Sequence, residues 1–153
     1  MLQQGPSSLA EGRADLRKWT GRFDTVIRKA GGRTALYMVW PESRRRAVFP
    51  MVADSYRLAA RDVGGVLLPA GEAWLAAWRR KPSLALYGPD GFHPSAAGSY
   101  LAAVTIYAGL TESSPVGLPG RLQLRNGATV VVGADDVAIL QAAAEEASGS
   151  ARR

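Results

Sequence analysis

Cysteine is absent from the sequence, and histidine occurs once, as His93. Without cysteine the chain can form neither a disulfide nor a thiolate metal site. A zinc site of the usual kind needs several histidine or cysteine ligands, so a single histidine predicts that no metal is bound. Glycine-rich nucleotide loops and the Gly-x-Ser-x-Gly nucleophile elbow are also missing. We therefore expect neither a metal nor an organic cofactor.

Long apolar runs are missing as well. No stretch approaches the roughly 18 apolar residues that a membrane span requires. The N-terminus, Met1 to Pro6, has no basic region followed by an apolar one, so no signal peptide is predicted in this chain. We expect no membrane partner, and the cellular compartment stays open.

Acidic residues are outnumbered, with 13 Asp and Glu against 19 Lys and Arg, which gives a net charge of +6. Such an excess can favour nucleic acid as a partner. The strongest basic run is Arg44–Arg46, but no helix carries a continuous basic stripe and no aromatic residues interleave with the basic ones. We predict a solvated, arginine-rich surface and no nucleic-acid partner. The alternative is salt-dependent nucleic-acid binding through Arg44–Arg46.

Short apolar runs alternate with amphipathic stretches over the first 110 residues. Residues 34–40 and 65–69 are almost continuously apolar, which is typical of strands buried on both faces of a parallel sheet. Helices are predicted over about 8–30, 49–60 and 72–80, and again after Ser95. This alternation predicts an α/β fold with a mostly parallel sheet. The first helix has one apolar stripe, formed by Leu16, Trp19, Phe23, Val26, Ile27 and Ala30.

The pattern changes after residue 110. Residues 111–120 are rich in proline and glycine and are interpreted as a linker. Asn126-Gly127 lies between two apolar segments, which predicts a β-hairpin with a two-residue type I′ turn. A last helix is expected to about Ala147. We predict a domain over 1–110, a hairpin-and-helix appendage over 121–147 and a disordered tail over 148–153.

Chemistry is concentrated in the segment from Asp90 to Ala102. Hydrolysis by a serine needs a base, and imidazole suits this role near pH 7. The imidazole in turn needs a carboxylate on its other nitrogen. Asp90 lies three residues before His93 across a turn, so one local element can supply both candidate catalytic groups. The other interpretation is an Asx-type turn with His93 near the start of a helix.

The continuation of this segment carries a family resemblance. Asp90-x-x-His93-Pro-Ser-x-x-Gly-x-Tyr-Leu-Ala102 resembles the last conserved block of SGNH (GDSL-type) hydrolases. The resemblance extends over residues 1–110. It implies a three-layer α/β/α fold with a mostly parallel, flavodoxin-like sheet, and an esterase or acyl hydrolase in which His93 is base and acid while Asp90 orients it.

Other parts of that family's pattern have no match. Its nucleophile is a serine in a Gly-Asp-Ser-like motif after the first strand, and nothing here corresponds to it. Its third block offers an amide for the oxyanion; here Gln3 or Gln4 could fill that position. Ser7 and Ser8 suit that third block better than the first. The resemblance therefore implies that the chain begins about halfway into the fold, as a truncated form, a fragment or a pseudo-enzyme would.

The leading hypothesis is an ester hydrolase by descent, which we expect to be inactive as this chain alone. Its substrate would be a small-molecule, carbohydrate or lipid ester. The alternative is a non-catalytic fragment or interaction module of the same fold. A half-fold leaves a sheet edge and an apolar helix face uncovered, which predicts self-association.

Overall fold

The computed structural model describes residues 1–152, and Arg153 lies outside the described residues. Helices and strands alternate along the first two thirds of the chain. In chain order the elements are α1 (Ala10–Lys29), β1 (Ala35–Tyr37), α2 (Phe49–Asp62), β2 (Val66–Leu68), α3 (Ala70–Arg80), α4 (Ala96–Thr111), β3 (Arg121–Gln123), β4 (Thr129–Val131) and α5 (Ala134–Arg152). A short 3₁₀ segment, Ser43–Val48, precedes α2.

The central sheet is parallel. β1 pairs with β2 in the register Leu36 to Leu67, and Leu2 joins the other side of β1 through a parallel bridge. Leu36 is completely buried, as expected for an interior strand. The predicted α/β fold with parallel pairing is confirmed. The strand is shorter than the apolar run 34–40 because the chain leaves the sheet after Tyr37.

Helices cover the sheet on two sides, which produces two buried clusters. α1 and α2 pack around Leu36 and Met38, with Tyr56 of α2 completely buried there. α3, α4 and α5 pack together around Trp74 and Leu101, and α4 and α5 also contact β2. Within residues 1–152, no helix combines the length and apolarity needed to cross a membrane.

The predicted hairpin is confirmed, but its turn is of a different type. β3 and β4 pair antiparallel, with Leu122 opposite Val130. Leu124 N donates to Ala128 O at 2.8 Å, which leaves a three-residue loop instead of a two-residue one. Within this loop only Gly127 has a positive φ, 83°, as in a type I turn closed by a left-handed glycine. The Asn126 side chain accepts from Ala128 N at 3.1 Å and holds this geometry.

The last helix is longer than predicted, and it belongs to the main core. Residues 148–152 continue α5, so the disordered tail predicted over 148–153 is wrong for these residues; Arg153 lies outside the described residues. Glu146 forms ion pairs with Arg79 and Arg80 of α3 at 2.5 and 2.6 Å. Ala147 and Ser148 are buried. These contacts with α3 were not visible in the local sequence.

The predicted linker is also tied to α5. Gln141 is buried and donates to Leu118 O at 2.6 Å and to the Tyr100 hydroxyl at 2.7 Å. Its side-chain oxygen accepts from Gly117 N at 2.9 Å. The segment 111–120 therefore packs along the fold, and the hairpin and helix that follow it share the core of the first 110 residues.

α1 buries a different stripe from the one its apolar residues predict. Leu16, Thr20 and Asp24 are buried, and Asp24 accepts a hydrogen bond from Thr34 at 2.7 Å. The large apolar side chains on the adjacent side of the helix are exposed: Trp19 by 45%, Phe23 by 49% and Val26 by 64%. Together with the open side of Leu2, they form a surface that we call the α1 face.

Candidate active site

The loop between α3 and α4 is closed at its base by backbone pairing. Tyr87 and Pro94 form an antiparallel bridge, and Gly88 N donates to His93 O at 2.7 Å. Gly91 has a φ of 65°, a left-handed conformation that favours glycine. A Cβ there would also collide with Ser43. The turn residues therefore fold the loop tightly enough for Asp90 to reach His93.

Asp90 contacts His93 through both carboxylate oxygens. Oδ1 accepts from the backbone N–H groups of Phe92 and His93, each at 2.9 Å. Oδ2 lies 2.6 Å from His93 Nδ1. The His93 side chain, followed by the two backbone donors, lowers the pKa of Asp90 to about 2. Asp90 is therefore ionised at any pH near neutrality.

This contact determines which ring nitrogen of His93 is free. With Nδ1 donating to a carboxylate, neutral imidazole carries its lone pair on Nε2. The His93 side chain is 74% exposed, so Nε2 is accessible. Asp90 is also largely exposed. The arrangement can accept a proton at Nε2 and stabilise the resulting imidazolium.

The helix that follows holds the loop in place. Ser95 caps α4 by accepting from Gly98 N at 3.1 Å, and its hydroxyl donates to Ala85 O at 2.6 Å. At Gly98 a Cβ would collide with Leu86 O and lie 2.7 Å from Trp74 Cζ2. Ser95 and Gly98 therefore both have structural roles. The cap at Ser95 and the close packing at Gly98 fix the start of α4 shortly after His93.

His93 borders a pocket of about 360 Å³ at the carboxyl ends of the parallel segments. Open α/β sheets bind their ligands at such ends. Gln3 follows the Leu2 bridge and lines this pocket. Gln4 does not: its side-chain amide donates to Ser7 Oγ at 3.0 Å and to Gly12 O at 3.1 Å. Of the two predicted glutamines, the structure brings only Gln3 to His93. The lining is completed by Gly5, Pro6, Tyr37, Val39, Trp40, Phe92 and Pro94.

Ser7 and Ser8 are not among the residues that line this pocket. Both line a neighbouring cavity of about 250 Å³ at the start of α1, which includes Arg45 and shares Gly5 and Pro6 with the pocket. Ser7 Oγ donates to Gly5 O at 2.9 Å, and Ser8 Oγ accepts from Arg45 at 3.1 Å. The N-cap residue of α1 is Leu9 and no side chain caps the helix, so Ser8 does not cap α1. Among residues 1–152, no serine lines the pocket beside His93.

Trp40 and Phe92 are pocket residues that the sequence interpretation missed. Trp40 follows β1 and stacks on buried Trp74 with ring centres 4.0 Å apart, while its Nε1 donates to Phe92 O at 3.2 Å. Phe92 is 53% exposed and meets the His93 ring edge to face at 4.9 Å. A signal did exist, because Trp40 ends an apolar run at the sheet edge where ligands bind and Phe92 precedes the histidine.

The basic run 44–46 is divided among three partners. Arg44 pairs with Glu42 at 2.9 Å and Arg45 bonds Ser8. The Arg46 guanidinium lies 3.7 Å from the centre of the Trp78 ring. Across residues 1–152 the structure contains no cluster of three or more side chains suited to a metal ion.

No family profile matches the sequence, and no curated protein matches it. Solved structures do match. The crystal structure of a DUF4886 family protein from Bacteroides uniformis ATCC 8492 superposes on 95% of this chain, with a TM-score of 0.74 and 19% identity. A protein from Slackia heliotrinireducens, named as a candidate SGNH hydrolase, matches 71% of this chain with a TM-score of 0.59 and 24% identity.

This chain has an SGNH hydrolase-like fold. It spans 60% of the length of the first matched structure and 62% of the second. The likeness is one of fold, so the chemistry has to be argued from the side chains of the site.

Proposed function

We propose that this chain carries the acid–base part of an ester-hydrolase site. His93 would remove and return protons, and Asp90 would orient its ring. The observation that carries the proposal is the contact of 2.6 Å between His93 Nδ1 and Asp90 Oδ2, with Nε2 left free beside an open pocket. The SGNH hydrolase-like fold supports this proposal at the level of architecture.

In the proposed reaction a serine Oγ attacks the ester carbonyl carbon while its proton passes to His93 Nε2. The tetrahedral intermediate then collapses, the acyl–oxygen bond breaks, and the leaving alcohol takes the proton from Nε2. Water attacks the acyl-enzyme with His93 again acting as base, which releases a carboxylic acid and restores the serine. Ionised Asp90 stabilises the imidazolium at both steps.

Gln3 is the proposed oxyanion donor. Gln3 lines the same pocket as His93, whereas the Gln4 amide is engaged by Ser7 and Gly12. A side-chain amide N–H aimed at developing negative charge is worth a factor of about 10²–10³ in rate. Gln3 directly follows Leu2, whose backbone is bridged to Leu36, so the chain next to Gln3 is held at the end of this parallel segment.

The nucleophile is proposed to come from outside these 153 residues. No serine of residues 1–152 lines the His93 pocket, and the matched structures are longer than this chain. We therefore propose that a Gly-Asp-Ser-like segment, encoded upstream of Met1 or carried by another chain, completes the site. These 153 residues alone would then hydrolyse esters slowly or not at all.

The test compares nitrophenyl acetate hydrolysis by this chain and by a protein extended upstream with an in-frame Gly-Asp-Ser-like segment. The extended protein should turn over, and His93→Ala should lower its rate by at least about 10³-fold. Asp90→Asn should also lower the rate, because Asp90 orients His93. Asp54→Asn, at an exposed aspartate of α2, is its matched control and should leave the rate unchanged. An extended, folded protein whose hydrolysis does not depend on His93 would contradict the proposal.

The same assay on these 153 residues tests the location of the nucleophile. The chain and its His93→Ala variant should show the same background rate, with circular dichroism confirming that both are folded. Robust hydrolysis lost in the variant would instead place the nucleophile within this chain, with Ser7 and Ser8 the first to examine.

A second candidate function is a non-catalytic interaction module of the same fold. Two observations favour it: the absence of a serine from the pocket within residues 1–152, and the exposed aromatic side chains of the α1 face. Under this alternative the extended protein would show no turnover that depends on His93.

A further inference from the structure

The proposed acid–base pair is exposed, so packing does not hold its side chains in place. The side chain of Asp90 is 50% exposed and that of His93 is 74% exposed. A hydrogen bond between two exposed side chains competes with water at both partners. The direction of the His93 ring therefore depends on how firmly the backbone of its loop is held.

Two hydrogen bonds tie this loop to the segment that follows β1. Ser43 N donates to Gly91 O at 2.8 Å, and the indole N–H of Trp40 donates to Phe92 O at 3.2 Å. The two acceptors belong to the residues just before His93 in the chain. Rotation of these peptide groups would break the bonds, so they limit how far the backbone next to His93 can turn.

Tyr87 supplies a third tie, at the start of the loop. Its hydroxyl donates to Pro41 O at 2.5 Å, and its backbone is bridged to Pro94, the residue that follows His93. Tyr87 itself does not line the pocket beside His93. Any influence of Tyr87 on the reaction therefore has to pass through the loop and not through contact with a ligand.

Aromatic packing fixes the direction of the Tyr87 hydroxyl. The Tyr87 ring meets buried Trp74 edge to face, with ring centres 4.8 Å apart, and stacks on Trp78 at 5.8 Å. Burial raises the pKa of Tyr87, so its hydroxyl stays protonated and remains a donor near neutral pH. Because these contacts already order the ring, the bond to Pro41 O costs little further side-chain entropy.

We infer that Tyr87 is a positioning residue for the proposed acid–base pair. Its hydroxyl bond to the chain after β1 holds the loop so that Asp90 contacts His93 Nδ1 and Nε2 stays open to the pocket. The inference rests on the proposed function, because it assigns a role in that same reaction. Trp40 acts in the same way, but it also lines the pocket, so Tyr87 is the cleaner residue to test.

The first test measures the tautomer of His93 by nitrogen NMR of the 153-residue chain, produced without a histidine tag, at a pH where the ring is neutral. His93 is the only histidine, so its ring nitrogens are resolved without assignment of the full spectrum. A carboxylate at Nδ1 favours the Nδ1–H form, and loss of that contact removes the preference. Tyr87→Phe removes only the hydroxyl and should lower the ratio of Nδ1–H to Nε2–H about threefold or more.

Matched variants separate positioning from a general loss of stability. Trp40→Phe keeps an aromatic ring, removes the indole N–H and should lower the tautomer ratio as well. Tyr107→Phe and Trp19→Phe, at exposed positions of α4 and α1, are the controls and should leave the ratio unchanged. A lower melting temperature for Tyr87→Phe with an unchanged ratio would show a contribution to stability alone and would overturn the inference.

Kinetics of the upstream-extended protein supply the second readout. Tyr87→Phe should lower kcat about threefold or more and leave KM unchanged, because a misdirected His93 weakens proton transfer and not ligand binding. If the tautomer ratio falls in Tyr87→Phe but no hydrolysis depends on His93, the proposed function fails and the positioning role stands. If hydrolysis depends on His93 but neither the ratio nor kcat responds to Tyr87→Phe, the inference fails and the proposed function stands.

Discussion

At the scale of single residues, Asp90 performs two tasks with one carboxylate. One oxygen closes an Asx-type turn on the backbone of Phe92 and His93, and the other contacts the imidazole. The two interpretations of the Asp90-x-x-His93 spacing are therefore compatible. Spacing alone could not separate them, because the same three-residue offset serves the turn and the side-chain contact.

The low pKa of Asp90 yields a prediction. His93→Ala removes the largest contribution, so the pKa of Asp90 should rise from about 2 part of the way towards the ordinary value of about 3.9. The two backbone donors remain and should keep it below that value. Carbon NMR of the Asp90 carboxyl over an acid titration measures this, with Trp19→Ala as the control. A pKa unchanged by His93→Ala would contradict the hydrogen bond.

The sign of the effect on stability follows from the same shift. Since the folded-state pKa lies below the unfolded value, ionised Asp90 favours the folded state above about pH 4. This contribution is lost as the pH falls towards 2. Asp90 should therefore stay ionised above about pH 4, and its contact with His93 should persist there.

Pocket residues were only partly predictable from the sequence. Gln3, Asp90 and His93 are polar and lie at strand ends or turns, where chemistry is expected. Trp40 was missed because an aromatic residue at the end of an apolar run resembles part of the core, and Phe92 was missed because it lies in a turn with no apolar pattern. Gln3 and Gln4 could not be told apart from the sequence, because Gln4 is held by distant residues: its backbone N–H donates to the Tyr56 hydroxyl and its side-chain amide donates to Gly12 O.

At the scale of elements, the helices and strands of the first 110 residues lie close to the positions that their local hydrophobic patterns predict, although α1 buries a different stripe. β1 and β2 are short continuous apolar runs, and α4 begins directly after Ser95, as expected. Features that depend on distant contacts differ. α5 extends past Ala147 because α3 supplies partners for Glu146, and the hairpin loop is set by the Asn126 side chain.

Gly98 in α4 provides a prediction at this scale. Gly98→Ala would push a methyl group against Leu86 O and Trp74, so we expect it to lower the free energy of unfolding by about 1–3 kcal/mol. Gly21→Ala in α1 is the matched control: no atom lies within 4 Å of the added Cβ, and helix propensity should stabilise it by about 0.5–1 kcal/mol. Urea denaturation of both variants measures this. If both variants changed the free energy of unfolding equally, Leu86 and Trp74 would not restrict the space at Gly98.

At the scale of the whole molecule, the α1 face leaves large apolar side chains exposed to solvent. Trp19, Phe23 and Val26 are exposed, and a groove of about 290 Å³ is lined by Leu2, Trp19 and Phe23 among others. Sequence periodicity correctly placed these residues on one stripe but could not show that nothing within residues 1–152 covers them.

We predict that the 153-residue chain self-associates through the α1 face. Trp19→Gln combined with Phe23→Gln should lower the association constant about tenfold or more, since each large aromatic contact contributes roughly 1 kcal/mol or more to an interface. Sedimentation velocity over a range of concentrations measures this. Phe92→Gln, an equally exposed aromatic in the pocket, is the control. A chain that remains monomeric at high concentration would contradict the prediction.

The stacking of Trp40 on Trp74 has a consequence for ligand discovery. One ring of the pair borders the pocket and the other lies in the cluster that joins α3, α4 and α5. A compound that occupies the pocket binds the native state alone, so mass action raises the melting temperature of the whole molecule. A thermal-shift screen of small esters and acids would therefore detect occupants of the pocket without any catalytic turnover.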